Sequence, residues 1–250
     1  AKTMSAVSKV KVPLTTIPRF QKEAAEIALQ MSQFSVDELE RLLRVNAKIA
    51  VENYKRYQAF HAETTPELPA LLAYTGIVFK RLNPKDFSAE DFGYAQEHLR
   101  LTSFCYGLLR PLDVIRAYRL EGDVVLPELG NQTLFSYWRS RLTDTFIEDI
   151  RSAGGILCNL ASDEMKSLFD WKRVESEVRV VTPEFHVWKN GKLATIVVYT
   201  KMSRGEMTRF ILKNKIGNPE ELKGFSWEGF EFDESLSDER KLVFINGMGE

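Results

Sequence analysis

Arg110, Arg116 and Arg119 crowd positive charge around Gly107 and Pro111 within residues 106–121. Glycine and proline punctuate the chain there, so the backbone must turn. The spacing reads as a turn between two helices, whose open N–H groups and flanking guanidinium groups suit a phosphate. Two further places put polar groups at a helix start. In Asn159-Leu-Ala-Ser162-Asp163-Glu164 a short apolar strand runs into a helix capped by Ser162. In residues 199–205 a second strand runs into a helix opened by the capping box Ser203-Arg-Gly-Glu206. Gly205 permits close backbone approach there, and Lys201, Arg204, Arg209 and Lys213 add charge on or beside the helix. Arg209 and Lys213 stand four residues apart and share a face. Free N–H groups at helix starts favour anions. Each pattern also has an ordinary explanation. Arginines beside a turn pair with local acids such as Asp113 and Glu121, and Asp163 and Glu164 complement a helix dipole as readily as they catalyse.

Other chemistries find little support. His61, His98 and His186 are scattered without metal-ligand spacing, so no metal site and no cofactor are expected. No phosphate-binding loop, dinucleotide fingerprint or nucleophile elbow occurs. Cys105 and Cys158 lie inside apolar runs and read as free, buried thiols of a reducing compartment. No apolar run approaches the ~20 residues of a membrane span and no secretory signal is present, so a cytoplasmic protein without a membrane partner is expected. With 34 Lys+Arg against 35 Asp+Glu the net charge is −1, so any polyanion site must arise from local segregation of charge.

The elements that must position these residues follow from capping and periodicity. Residues 20–31 are amphipathic. Ser35-Val-Asp-Glu38 opens a helix running past Tyr54, and Ser88-Ala-Glu-Asp91 opens another carrying Phe92, Ala95, Leu99 and Phe104. Residues 74–79 lean toward strand, and residues 133–150 form a helix burying Phe135, Trp138, Leu142 and Phe146. Residues 155–160 read as a buried strand. Residues 178–188 and 193–200 flank Asn190-Gly191, a hairpin signal, and residues 242–245 read as a late strand. The expectation is an α+β fold, one mixed domain whose sheet is covered by helices.

Taken together, Ala1-Lys2-Thr3, Pro13-Leu14-Thr15, Phe92 to Arg100, Tyr106-Gly-Leu-Leu-Arg-Pro-Leu-Asp113, Tyr118-Arg-Leu-Glu121, Asn159-Leu-Ala-Ser162 and Arg204-Gly-Glu-Met-Thr-Arg-Phe210 resemble, in order and over nearly the whole chain, the YaaA-type peroxide stress resistance family of bacteria. The resemblance implies a compact mixed fold described as cantaloupe-like, a helix–hairpin–helix element, a basic cleft and DNA binding. It also implies protection during hydrogen peroxide stress that limits iron-driven DNA damage. It further implies a strand and Ser-Pro ahead of Ala1, so residues 1–250 are expected to form a single domain lacking its native first strand.

Two functions then compete. In the first, the protein binds the DNA backbone without sequence preference, through Gly107, Arg110, Arg116, Arg119, Lys201, Arg204, Arg209 and Lys213. In the second, an enzyme of undefined reaction takes a small anionic substrate in a pocket of Lys2, Asn159, Ser162 and Asp163, with Lys2, Asp163 or Glu164 moving the proton. Direct iron binding is disfavoured by the scarcity of clustered ligands.

Overall fold

Two of the three capping boxes open the helices expected of them. The Ser35 hydroxyl accepts the Glu38 N–H while the Glu38 carboxylate accepts the Ser35 N–H, and Ser88 and Asp91 repeat the arrangement. The computed structural model describes residues 3–247. Its first part is mainly helical: α1 (Gln21–Met31), α2 (Val36–Leu43), α3 (Ala47–Ala59), α4 (Ala70–Ala73), α5 (Ile77–Leu82) and α6 (Ala89–His98). The single helix read from Ser35 onward is two. Arg44 turns left-handed at φ 51°, and the Asn46 side chain recaps the chain by accepting the Ile49 N–H. Residues 74–79 contribute one bridge, Tyr74 to Met4, and then enter α5 rather than forming a strand.

Short antiparallel ribbons join the helices: β1 (Leu68–Pro69) with β4 (Val114–Ile115), β2 (Leu101–Ser103) with β3 (Gly107–Leu109), and β5 (Val125–Leu126) with β6 (Gln132–Thr133). Thr133 then caps α7 (Leu134–Ser152), which buries Trp138, Leu142 and Phe146 as its periodicity requires. The expected turn between two helices at Gly107 is thus a β-hairpin. Ser103 pairs with Gly107, and the Ser103 hydroxyl accepts the N–H groups of Cys105 and Tyr106 inside the loop. Phe104 belongs to that loop and not to α6.

The second part adds β7 (Ile156–Cys158), α8 (Asp163–Lys166), α9 (Trp171–Glu177), β8 (Arg179–Lys189), β9 (Lys192–Ala194), α10 (Val197–Asn214), β10 (Phe230–Asp233) and β11 (Lys241–Asn246). A five-stranded sheet runs β10-β11-β8-β7, with β9 on β8. The β7–β8 and β8–β11 pairs are parallel and the others antiparallel. Helices α9 and α10 pack on β8. The fold is therefore mixed α+β.

The largest core gathers α1–α3, α7 and the ribbons around Tyr57, Leu109 and Trp138. A second lies between the sheet and α10, built on Phe185, Phe230, Phe244 and Met207. A third, Leu71, Leu82, Phe92 and Leu112, ties α4–α6 to the chain after β3. Among the described residues no helix is long and apolar enough to cross a membrane.

Candidate functional site

Helix α10 carries four of the predicted cations, but it begins at Val197, six residues before the expected cap. Ser203 is fully buried in mid-helix, and its hydroxyl has no hydrogen-bond partner among the described residues. The glycine beside it is explained by packing. A β-carbon on Gly205 would stand 2.3 Å from the Val78 carbonyl oxygen, so its close backbone approach is to α5 and not to a ligand. No side chain caps α10, its first residues Val197 and Val198 are exposed, and its close contact with α5 lies further along, at Gly205.

Most of the predicted cations are neutralised within the fold. Arg110 Nε and Nη2 donate to Asp113 Oδ1 at 3.2 and 2.9 Å, and Asp113 is almost wholly buried. Arg116 lies over the Phe60 ring and donates to Glu67 and to the Phe60 carbonyl. Arg209 grips Asp86 with both terminal nitrogens and donates to the Leu82 and Asn83 carbonyls, closing the C-terminal end of α5. Lys213 donates to Asp91 at 2.8 Å. Burial would raise the Asp91 carboxyl, but the Lys213 and Ser88 hydrogen bonds and the nearby lysine charge outweigh it and hold the group at about 2. Gly107, at φ +69°, is sealed under Trp138, with a would-be β-carbon 2.7 Å from Cζ3. It supplies a left-handed corner, not an open amide for phosphate.

Three cations differ. Lys201 is exposed on α10 and forms no ion pair with a described residue. Arg204 has a buried Nε with no hydrogen-bond partner among the described residues; burial lowers its pKa, against the opposing pull of Asp163. Arg119 has a second buried Nε of the same kind, with only a 3.8 Å pairing of Nη2 to Glu121. Unpaired buried donors cost about 1–3 kcal/mol each, more when charged, so such N–H groups invite an anionic acceptor.

After β7, the field of Asp163 reaches Arg204 of α10. Asn159 is buried, donates its N–H to the Val181 carbonyl and accepts the Ala161 N–H on Oδ1, so its side chain shapes the turn. Ser162 occupies the N-cap position of α8 but makes no capping hydrogen bond, and α8 is a single turn. Asp163 pairs with Lys166 at 2.8 Å and is largely exposed. Lys2 lies outside the described residues. Two surface depressions lie elsewhere. One of about 360 Å³ is lined by residues of α7 and α9, including Arg139, Asp144 and Arg173, and one of about 490 Å³ by Arg179, Lys223 and Asp238.

Arg81 was not singled out by sequence. It stacks over Trp227 at 5.3 Å and faces Glu206 of α10 at 3.7 Å, extending the polar seam between α5 and α10. Nothing local in the sequence signals it, because both partners are more than a hundred residues away. Among the described residues no three His, Cys, Asp or Glu side chains converge on a possible metal position.

Comparison with known proteins bears on the same region. A family model described as peroxide stress protein YaaA matches residues 1–236. The chain is 99% identical over 250 residues to a UPF0246 protein of Bacteroides thetaiotaomicron, covering all of this chain and 97% of that one. It is 78% identical to a UPF0246 protein of Bacteroides fragilis over the same shares. A UPF0246 protein of Crocosphaera subtropica is 37% identical over 246 residues, 98% of this chain and 97% of that one. The chain therefore belongs to the YaaA family of peroxide stress proteins.

Proposed function

We propose that this protein serves peroxide defence in the cytoplasm by binding DNA through its phosphate backbone, limiting iron-driven oxidative damage to it. Arg204 is the principal contact, with Lys201 beside it on α10 and Arg119 as a further donor. The observation that carries this reading is the buried guanidinium N–H of Arg204, which has no hydrogen-bond partner among the described residues and stands one helical turn from Lys201, exposed and without an ion pair to a described residue. Arg110, Arg116, Arg209 and Lys213 are already held by Asp113, Glu67, Asp86 and Asp91, so they add little to the contact.

The consequence is a modest salt dependence. Each phosphate contact contributes about −0.9 to the slope of log K against log salt, so two or three contacts give about −2 to −3 rather than the −6 of seven free cations. Fluorescence anisotropy of a labelled duplex between low and moderate salt measures it. Arg204→Ala should weaken binding at least tenfold and flatten the slope by about one. A flat wild-type profile, or an Arg204→Ala variant that binds like wild type, rejects the reading.

A second reading is favoured by the field that Asp163 exerts on Arg204: a small phosphorylated or carboxylated substrate held there, with Asp163 or Glu164 moving a proton. Inorganic phosphate that protects the fold at micromolar levels, and loses that effect in Arg204→Ala, supports it over DNA.

A further inference from the structure

Three polar side chains on the sheet form a hydrogen-bonded relay that neither functional reading uses. Glu184 and His186 stand two residues apart on β8, so both project from the same face of the strand. Phe185 and Val187, between and beyond them, point the other way and are buried in the core that includes Met207 of α10. Strand β9 runs antiparallel to β8 with Ala194 opposite Val187, so the next residue, Thr195, comes level with His186. His186 Nε2 lies 3.1 Å from Glu184 Oε2, and His186 Nδ1 lies 3.1 Å from Thr195 Oγ1.

The chemistry of the partners fixes the direction of the relay. A carboxylate only accepts, so in neutral imidazole Nε2 carries the proton and donates it to Glu184. Nδ1 is then the acceptor, and the Thr195 hydroxyl donates to it. A hydroxyl held by an imidazole, itself oriented by a carboxylate, is the arrangement that activates an oxygen nucleophile. Thr195 is exposed, so an electrophile can reach its oxygen. The same face supplies apolar surface. Trp188 lies two residues beyond His186, and Leu193 two residues before Thr195. They face each other across the ribbon and are 41% and 38% exposed. On β11 the partners of Glu184 and His186 are Val243 and Ile245, both apolar.

We propose that Thr195 is the nucleophile of an esterase-type site that takes esters of small apolar acids. As Thr195 Oγ1 bonds to the ester carbonyl carbon, its proton passes to His186 Nδ1. The bond from that carbon to the leaving alcohol breaks, and His186 returns the proton to the alcohol oxygen. Water activated by the same imidazole then cleaves the acyl-threonine, releasing the acid and restoring the hydroxyl. Glu184 is a positioning residue that holds the ring and balances its charge while it carries the second proton. Trp188 and Leu193 carry the acyl group. The site lies on the opposite face of β8 from the core under α10, so it stands independently of the DNA-binding reading.

The test uses the full chain with p-nitrophenyl acetate and p-nitrophenyl butyrate, following release of p-nitrophenolate, after circular dichroism has shown each variant to be folded. Wild type should hydrolyse both esters above the buffer rate, and mass spectrometry of the quenched reaction should place the acyl group on Thr195. Thr195→Val and His186→Gln should each lose at least about a hundredfold in rate, and Thr195→Ser should keep it. Glu184→Gln should lower kcat about tenfold or more with KM unchanged, a split that a merely structural contact would not produce. Trp188→Ala should raise KM for the butyrate more than for the acetate. A wild type no faster than buffer refutes the site. So does a folded Thr195→Val or His186→Gln variant as active as wild type, or an acyl group found on a lysine in place of Thr195.

Discussion

Gly205 of α10 rests against the carbonyl of Val78 in α5, where a β-carbon would stand 2.3 Å from the oxygen and 2.7 Å from Arg81 Cβ. Two backbones meet at this point, so neither neighbour can swing aside. Alanine would bring about 1 kcal/mol of helix propensity. Overpacking against a carbonyl costs about 1–3 kcal/mol and should win. Gly205→Ala is therefore expected to lower the urea midpoint with an unchanged m-value. A variant as stable as wild type would mean that the α5–α10 seam opens freely.

That seam also divides what could be read in the sequence from what could not. The boxes at Ser35 and Ser88 were legible because both halves of each reciprocal hydrogen bond lie within four residues. The hairpin at Asn190-Gly191 was legible because few residue pairs tolerate two positive φ angles. Ser203-Arg-Gly-Glu206 carries the same box pattern, yet the helix already runs from Val197 and the serine is buried in its interior. Strands β2 and β3 have three residues each, too few for a period-two signal, so Gly107 and Pro111 were read as punctuation between helices. The charge of Arg209 looked available because Asp86 is 123 residues away. In sequence Arg204 and Arg119 look like the other arginines; a buried Nε without a hydrogen-bond partner among the described residues sets them apart.

Gly107 should behave as a packing residue. Alanine there must adopt φ +69° and place its β-carbon 2.7 Å from Trp138 and 2.9 Å from Leu142. Left-handed strain and overpacking together should cost about 2–4 kcal/mol. Thermal unfolding measures the loss. The folded fraction of Gly107→Ala should bind a duplex as wild type does, whereas a selective loss of binding at unchanged stability would restore a direct phosphate role.

Arg110 should matter to stability more than to binding. Asp113 is 1% exposed and accepts from the Arg110 guanidinium, the Arg110 N–H and the Thr16 hydroxyl. Arg110→Ala leaves that carboxylate buried without its counter-charge, at a cost of about 3 kcal/mol. Adding Asp113→Asn removes the stranded charge and should recover part of the loss. A double-mutant cycle in urea gives the coupling, and simple additivity of the two losses would contradict the pairing.

Asp91 gives the fold an acid-sensitive tie. Its carboxyl is held at about 2, below the ordinary 3.8, by Lys213, the Ser88 N–H and Lys215. A depressed folded value means the stabilisation is complete above pH 4 and is lost as pH falls toward 2. Asp91→Asn should therefore cost about 1–3 kcal/mol at pH 7, in the range of a charge-assisted hydrogen bond. The difference from wild type should shrink between pH 4 and pH 2. A gap that stays constant across that window would assign the effect to helix capping alone.

The two thiols should be silent toward peroxide while the protein is folded. Cys105 is fully buried in the β2–β3 loop, and burial pushes its thiol far up; Cys158, expected to be buried, is only partly so by exposed area, yet loss of solvent around its thiol pushes it up to about 12. Thiols raised in this way stay almost wholly protonated at pH 7, and the thiolate is the species that attacks peroxide. Iodoacetamide labelling read by mass spectrometry should find both cysteines unmodified in native protein, before and after millimolar hydrogen peroxide, and both labelled in urea. Native-state oxidation of Cys105 faster than global unfolding would require the loop between Ser103 and Gly107 to open. It would then make the hairpin a place where peroxide acts on the protein.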